Sequence, residues 1–205
     1  MNIQCEIIEG YGRTTNLRIG SGSINHAWNA VRLNDNWYLC DPTWASGYVN
    51  RNEDKYFRKF DKYYFLTPPE LFVADHYPVN GFWFLMHDKP TLKEFLNAPI
   101  KSTGFISNKL NHYSPIEGRA FVKRDSSIRF SFTSNLPPKK VNTVWVSTSK
   151  KVNKAFVDQE GERRELGVDK EGNYFFYYRF KETGVFKIYI TLNDRLLFVY
   201  EVTSK

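Results

Sequence analysis

Apolar and polar residues along this chain are arranged in short runs, and most of those runs have the two-residue period of a strand. Ile3, Cys5 and Ile7, followed by Ile8, predict a short strand over 3–8 that runs into Gly10-Tyr11-Gly12. Residues 14–23 are polar and rich in Gly and Ser, the composition of a surface loop. Two β-prone runs, 26–33 and 36–41, flank Asn34-Asp35, a pair that tolerates the positive φ of a tight primed turn, so a hairpin is expected. From Gly47 to Asp61 the chain reads as charged and irregular. Pro68-Pro69-Glu70-Leu71-Phe72 predicts a short helix, with proline suited to its first turn. Thr91-Leu92-Lys93-Glu94 has capping-box spacing and predicts a second short helix reaching about Asn97, with Pro99 closing the region.

Beyond residue 103 alternation takes over, in Arg119–Val122, Ser127–Phe132, Thr143–Val146, Tyr174–Phe180, Val185–Thr191 and Leu196–Val202. Turn clusters such as Asn135-Leu136-Pro137-Pro138 and Lys170-Glu171-Gly172-Asn173 separate the runs. Six or seven strands without a helix signal point to a β-sandwich. Tyr174-Phe175-Phe176-Tyr177-Tyr178 resembles a ligand-stacking strip, but a strand with one core face and one half-covered face explains it equally well, and that is the expectation here.

Composition changes the picture little: 41% of the residues are hydrophobic and 25% charged, ordinary values for a globular protein. No run of about 18 apolar residues exists to span a membrane as a helix. The first six residues have neither the basic nor the apolar region of a signal peptide. Two cysteines exclude a disulfide-stapled scaffold. Charge is more telling. Residues 1–100 hold 10 basic and 11 acidic residues, a net −1, whereas residues 101–205 hold 19 and 11, a net +8. A basic second half fits either a lysine-rich solvated β surface or contact with an anionic glycan, another polyanion or a protein. No nucleic-acid motif is present, so nucleic acid is not an expected partner.

The chemistry-bearing residues lie between Asn25 and Gly47. With Asn34-Asp35 as a two-residue turn, Asp41 falls opposite Trp28, and His26 and Asp41 become diagonal cross-strand neighbours, roughly 7–8 Å apart at Cβ. A carboxylate there fixes the imidazole tautomer and leaves the other ring nitrogen to exchange a proton with a nucleophile. The indoles of Trp28, Trp37 and Trp44 would lower the local dielectric around such a pair. A purely structural His–Asp pair has the same spacing, and the residues alone leave both readings open. His76, His87 and His112 lack ligand spacing with Cys, Asp or Glu, so neither a metal site nor a cofactor is expected.

Three segments together, Ile8-Glu9-Gly10-Tyr11-Gly12-Arg13, Asn25-His26-Ala27-Trp28-Asn29 and Asp41-Pro42-Thr43-Trp44 with Gly47, resemble the transglutaminase-like superfamily of papain-like cysteine enzymes, and most of all its kyphoscoliosis-peptidase-type branch. Tyr64-Phe65-Leu66-Thr67-Pro68-Pro69-Glu70 is similar to a segment that follows the core in that branch. The resemblance covers about residues 3–100. It implies an α+β fold, with a partial papain-like core over residues 1–100 and an all-β immunoglobulin-like sandwich over 103–205. It implies a Cys–His–Asp triad acting on a protein or peptide, with His26 as general base and acid, Asp41 as its orienter, and Trp28 and Trp44 walling the site. The family cysteine starts a helix a few tens of residues before the Ile8–Arg13 segment, and no such residues are in this chain. Cys5, in strand-like alternation, and Cys40, pointing away from Asp41, both read as buried small hydrophobes. Two explanations stay open: a fragment or truncated form of a cysteine protease or acyltransferase, or a non-catalytic binding or scaffold protein using the basic β-sandwich. Both imply an inactive chain with one side of its core sheet uncovered, a patch that self-association would cover or that would leave the region loose.

Overall fold

The computed structural model describes residues 2–50, 54–137, 141–153 and 155–205. The chain divides into two compact units, one formed by Met1–Thr14 with Gly22–Phe95 and the other by Thr15–Ser21 with Leu96–Lys205.

In the first unit, β1 (Cys5–Gly12), β2 (His26–Leu33), β3 (Asn36–Cys40) and β6 (His76–Pro78) form one antiparallel sheet in the order β3-β2-β1-β6. The β2–β3 register runs from Leu33 opposite Asn36 to Asn29 opposite Cys40, and the turn residues Asn34 and Asp35 have φ of 48° and 63°. Those left-handed values are what a type I′ turn requires, and Asn and Asp adopt them at low cost. One face of the sheet is buried, with Ile8, Trp28, Ala30 and Leu39 packed on Phe72. On the other face Ile7 is 75% exposed. Helix α1 (Pro42–Ser46) follows β3. The stretch 47–61, expected to be irregular, holds instead a small hairpin of β4 (Gly47–Asn50) and β5 (Lys55–Arg58). Helix α2 (Pro69–Phe72) starts on its proline as expected, and α3 (Leu92–Asn97) carries the capping box, with Glu94 accepting from the Thr91 amide at 2.7 Å and the Glu94 amide donating to Thr91 Oγ1 at 3.2 Å.

The second unit begins with β7 (Ile100–Lys101) and α4 (Thr103–Ser107), followed by β8 (Leu110–Ser114), β9 (Arg119–Val122), β10 (Ser127–Ser134) and β11 (Thr143–Val152). Short strands β12 (Ala155–Asp158), β13 (Glu162–Glu165) and β14 (Gly167–Val168) lead to β15 (Tyr174–Arg179), β16 (Gly184–Leu192) and β17 (Arg195–Ser204). One sheet has the order β14-β15-β10-β8 and the other β12-β11-β16-β17-β7, with β9 added in parallel along β17 and β13 along β11. Both sheets contribute to one core, in which Phe130, Phe132 and Phe176 meet Ile188, Phe198 and Tyr200. The aromatic run of β15 splits as a strand should: Tyr174 and Phe176 enter the core and Tyr177 is exposed. Ile19, on the 15–21 loop, is buried against Ile100 and Val199, which ties that loop to this unit.

The α+β architecture expected from the sequence, a partial papain-like core before an immunoglobulin-like sandwich, is overturned. Among the described residues the structure is mostly strand, with four small helices and no substantial helical core. None of the α-helices exceeds six residues. Helices that short do not hold themselves together and depend on packing against the rest of the fold. The apolar pattern has nowhere the sustained i, i+3, i+4 spacing of a core helix. The two short helices read from proline and capping-box chemistry are present, whereas the α+β class came with the resemblance.

Candidate functional site

The site is assembled on the buried face of the first sheet. His26 opens β2 opposite Gly10, and His76 opens β6 opposite Gly12, so β1 lies between the two histidines. The glycines make room for them. A Cβ on Gly12 would sit 2.9 Å from the Cβ of His26, and one on Gly10 would sit 2.2 Å from the Tyr77 carbonyl oxygen. Both distances are shorter than carbon atoms tolerate, so the Gly10-Tyr11-Gly12 segment owes its composition to close approach. Asn25 fixes the entry to β2, accepting from the Gly12 amide at 2.8 Å and donating to the Gly12 carbonyl at 3.1 Å.

Asp41 lies just past β3, which ends at Cys40, and caps α1 by accepting from the Trp44 amide through Oδ1 at 3.0 Å. Its Oδ2 meets His26 Nε2 at 2.6 Å and His76 Nε2 at 3.0 Å. The carboxylate is fully buried. Burial opposes its ionisation, but the hydrogen bonds from His26, His76 and the Trp44 amide outweigh it and hold the pKa well below the usual carboxylate range. An ionised carboxylate only accepts, so the ring nitrogens that face it carry the protons. His26 is thereby fixed with its proton on Nε2, and no described residue bonds its Nδ1. The His26 ring, 15% exposed, is stacked on Trp44 at 4.7 Å.

His76 extends the network inward. Its Nδ1 meets Asp75 Oδ1 at 2.6 Å, and Tyr64 donates from its hydroxyl to Asp75 Oδ2 at 2.9 Å. The ring is buried, stacked on Phe72 at 4.1 Å and edge-on to Trp28 at 4.9 Å. Burial disfavours the imidazolium, yet the Asp75 charge and the hydrogen bonds to Asp41 and Asp75 prevail and raise the His76 pKa. Burial and the neighbouring Asp75 push the Tyr64 phenol up, so it stays a neutral donor. The result is a continuous chain from His26 through Asp41, His76 and Asp75 to Tyr64.

The four residues singled out from the sequence, His26, Asp41, Trp28 and Trp44, meet here. Trp37 does not; it packs edge-on against Trp83 at 5.1 Å. His76, set aside for want of ligand spacing, belongs to the centre, and Asp75 and Tyr64 were not foreseen. The only sequence signal was the Asp75-His76 dipeptide, because 35 residues separate His76 from Asp41 and strand order alone brings them together. One ligand atom each from His26, Asp41 and His76 lies within 4.8 Å of the others, a donor set able to take a divalent cation. The observed spacing favours hydrogen bonds: a tetrahedral zinc ion would spread its ligand atoms to roughly 3.3 Å, whereas His26 and Asp41 are 2.6 Å apart.

No family model matches the sequence. Among curated proteins, the chain is 38% identical over 134 residues to kyphoscoliosis peptidase of Mus musculus and 40% identical over 134 residues to that of Homo sapiens, in each case across 60% of this chain and 20% of the relative. It is 26% identical over 157 residues to the Lim and transglutaminase domain protein ltd-1 of Caenorhabditis elegans, across 67% of this chain and 21% of that protein. These similarities point to a transglutaminase-like relationship. The chain matches about a fifth of the length of these relatives.

The cysteines can be placed by register. Cys40 is opposite Asn29, and Asn29 projects from the face of β2 opposite to His26 and Trp28. Burial, with the nearby Cys5 and Asp41, pushes its thiol pKa up, away from reactivity. Cys5, expected to be buried, is exposed, and its partner across the sheet is Val31, five residues from His26 and so about 17 Å along the strand.

Proposed function

We propose that this chain carries the base and orienter of a thiol-dependent acyl-transfer or peptide-hydrolysing site of transglutaminase-like type, and that the chain alone does not turn over. The observation that supports this reading is the free Nδ1 of His26, held in one tautomer by the hydrogen bond from Nε2 to buried Asp41. From that position His26 accepts the proton of an incoming thiol and returns it to the leaving amine, while Asp41 stabilises the imidazolium between those steps. Stacking on Trp44 restricts ring rotation and keeps Nδ1 aimed. A nucleophile is the missing part: by face and distance, neither Cys5 nor Cys40 reaches Nδ1. On this reading the thiol would come from outside these 205 residues.

The test is made on the natural reading frame. Coding sequence upstream of Met1 that supplies a cysteine-bearing helix in frame should, once joined, confer amidase or amine-transfer activity that is lost in His26→Ala. A stop codon close upstream, or turnover by the chain alone that survives His26→Ala, refutes the reading.

A further inference from the structure

In the second unit a cavity of about 260 Å³ lies over β16 and β17. Lys187 and Glu201 are directly opposed on its floor, and Arg119 pairs with Glu201 from β9 at 3.4 Å. Arg18 from the 15–21 loop and Lys151 from the end of β11 line its sides, with Phe156 as an apolar wall. Four cations therefore face one carboxylate, a net charge of three.

The excess is built in rather than scattered over a surface. Lys187 is 5% exposed, and its ammonium donates to the Thr15 carbonyl at 2.8 Å and the Leu17 carbonyl at 3.4 Å. Carbonyls position that charge without neutralising it. The loop they belong to is anchored by buried Ile19. Gly20 (φ 84°) lets the loop pass close to Arg119, where a Cβ would come to 3.4 Å of the guanidinium. Arg18 and Lys151 are exposed, and neither makes an ion pair among the described residues.

We propose that this cavity binds a phosphate monoester. A tetrahedral dianion offers enough acceptor oxygens for an arginine fork and two ammonium groups together, and its double charge answers the excess better than a carboxylate does. The volume leaves room for a small organic carrier beside Phe156. A long polyanion needs an open groove, and here the anchored loop closes one side. The proposal is independent of the reading of His26 and Asp41.

The experiment is a calorimetric and amide-NMR titration of the whole chain with O-phosphoserine and with inorganic phosphate, at about 0.15 M salt so that loose surface attraction is screened. Saturable binding is expected, with shifts centred on Arg18, Lys151 and Lys187. The double variant Arg18→Ala, Lys151→Ala, whose side chains are both at the surface, should keep the wild-type melting curve and weaken binding about tenfold or more. Tighter binding of phosphoserine supports the ester; equal binding shows that the phosphate group of the ester is what the site recognises, and tighter binding of inorganic phosphate overturns the ester assignment. Absence of saturation by both probes, binding unchanged in the double variant, or a heparin oligosaccharide that binds where both phosphates fail would overturn the assignment.

Discussion

Asp41→Ala tests whether the acidic centre of the site also holds the first unit together. The substitution removes the cap of α1, a loss of about 1 kcal/mol. It also leaves the buried Nε2–H of His76 without its acceptor, in a ring whose charged form is favoured by its surroundings, which adds about 3 kcal/mol. Together about 4 kcal/mol should be lost, a large part of the roughly 5–15 kcal/mol that domains possess. Four of the five tryptophans, Trp28, Trp37, Trp44 and Trp83, lie in the first unit, so urea unfolding followed by tryptophan fluorescence reports mainly on it. The midpoint should fall while the slope with denaturant stays unchanged. The pH dependence has a definite sign. A carboxyl with a depressed folded pKa contributes stability above its unfolded value, near pH 4, and loses it as pH falls through the folded value. The wild-type and Asp41→Ala curves should therefore converge in strong acid. A loss below about 1 kcal/mol at neutral pH would show that water replaces the carboxylate and that Asp41 is not a structural hub.

Other outcomes follow from the same coordinates. His76→Phe keeps the ring stack on Phe72 but deprives Asp41 and Asp75 of a buried donor, and should cost about 3 kcal/mol in the same unfolding assay. A raised His76 pKa means stability that is complete below about pH 6.5 and declines as pH rises through the folded value, a slope that His76→Phe should abolish. Gly10→Ala forces a methyl to 2.2 Å of the Tyr77 carbonyl oxygen and 2.5 Å of the Trp28 ring, and should lower stability by about 3 kcal/mol or prevent folding of the first unit. With an aromatic disulfide reagent, exposed Cys5 should react in the folded chain and buried Cys40 only on unfolding. Neither rate should change in His26→Ala; slower labelling of Cys5 in that variant would mean that His26 activates it.

Much of the fold and part of the site were legible because their causes are local. The tight turn at Asn34-Asp35 sets the β2–β3 register, and that register carries His26 and Asp41 towards each other. Proline at the start of α2 and the Thr91–Glu94 box mark helices by side-chain chemistry within one turn. The alternating runs after residue 110 form strands because each must hide one face. What misled was the α+β class that came with the resemblance, set on a chain whose own pattern is mostly that of strands.

By itself, then, the sequence determined strand periodicity, turn chemistry, helix caps and the His26–Asp41 pairing, since each depends on residues that are near neighbours along the chain or across one hairpin. Only the tertiary structure decided that β6 lies against β1 and brings His76 and Asp75 behind Asp41, and that the 15–21 loop, itself part of the second unit, joins Arg18 to Lys187 and Arg119 there. Strand order and loop anchoring follow from how distant apolar faces share a core, and no local spacing records that choice.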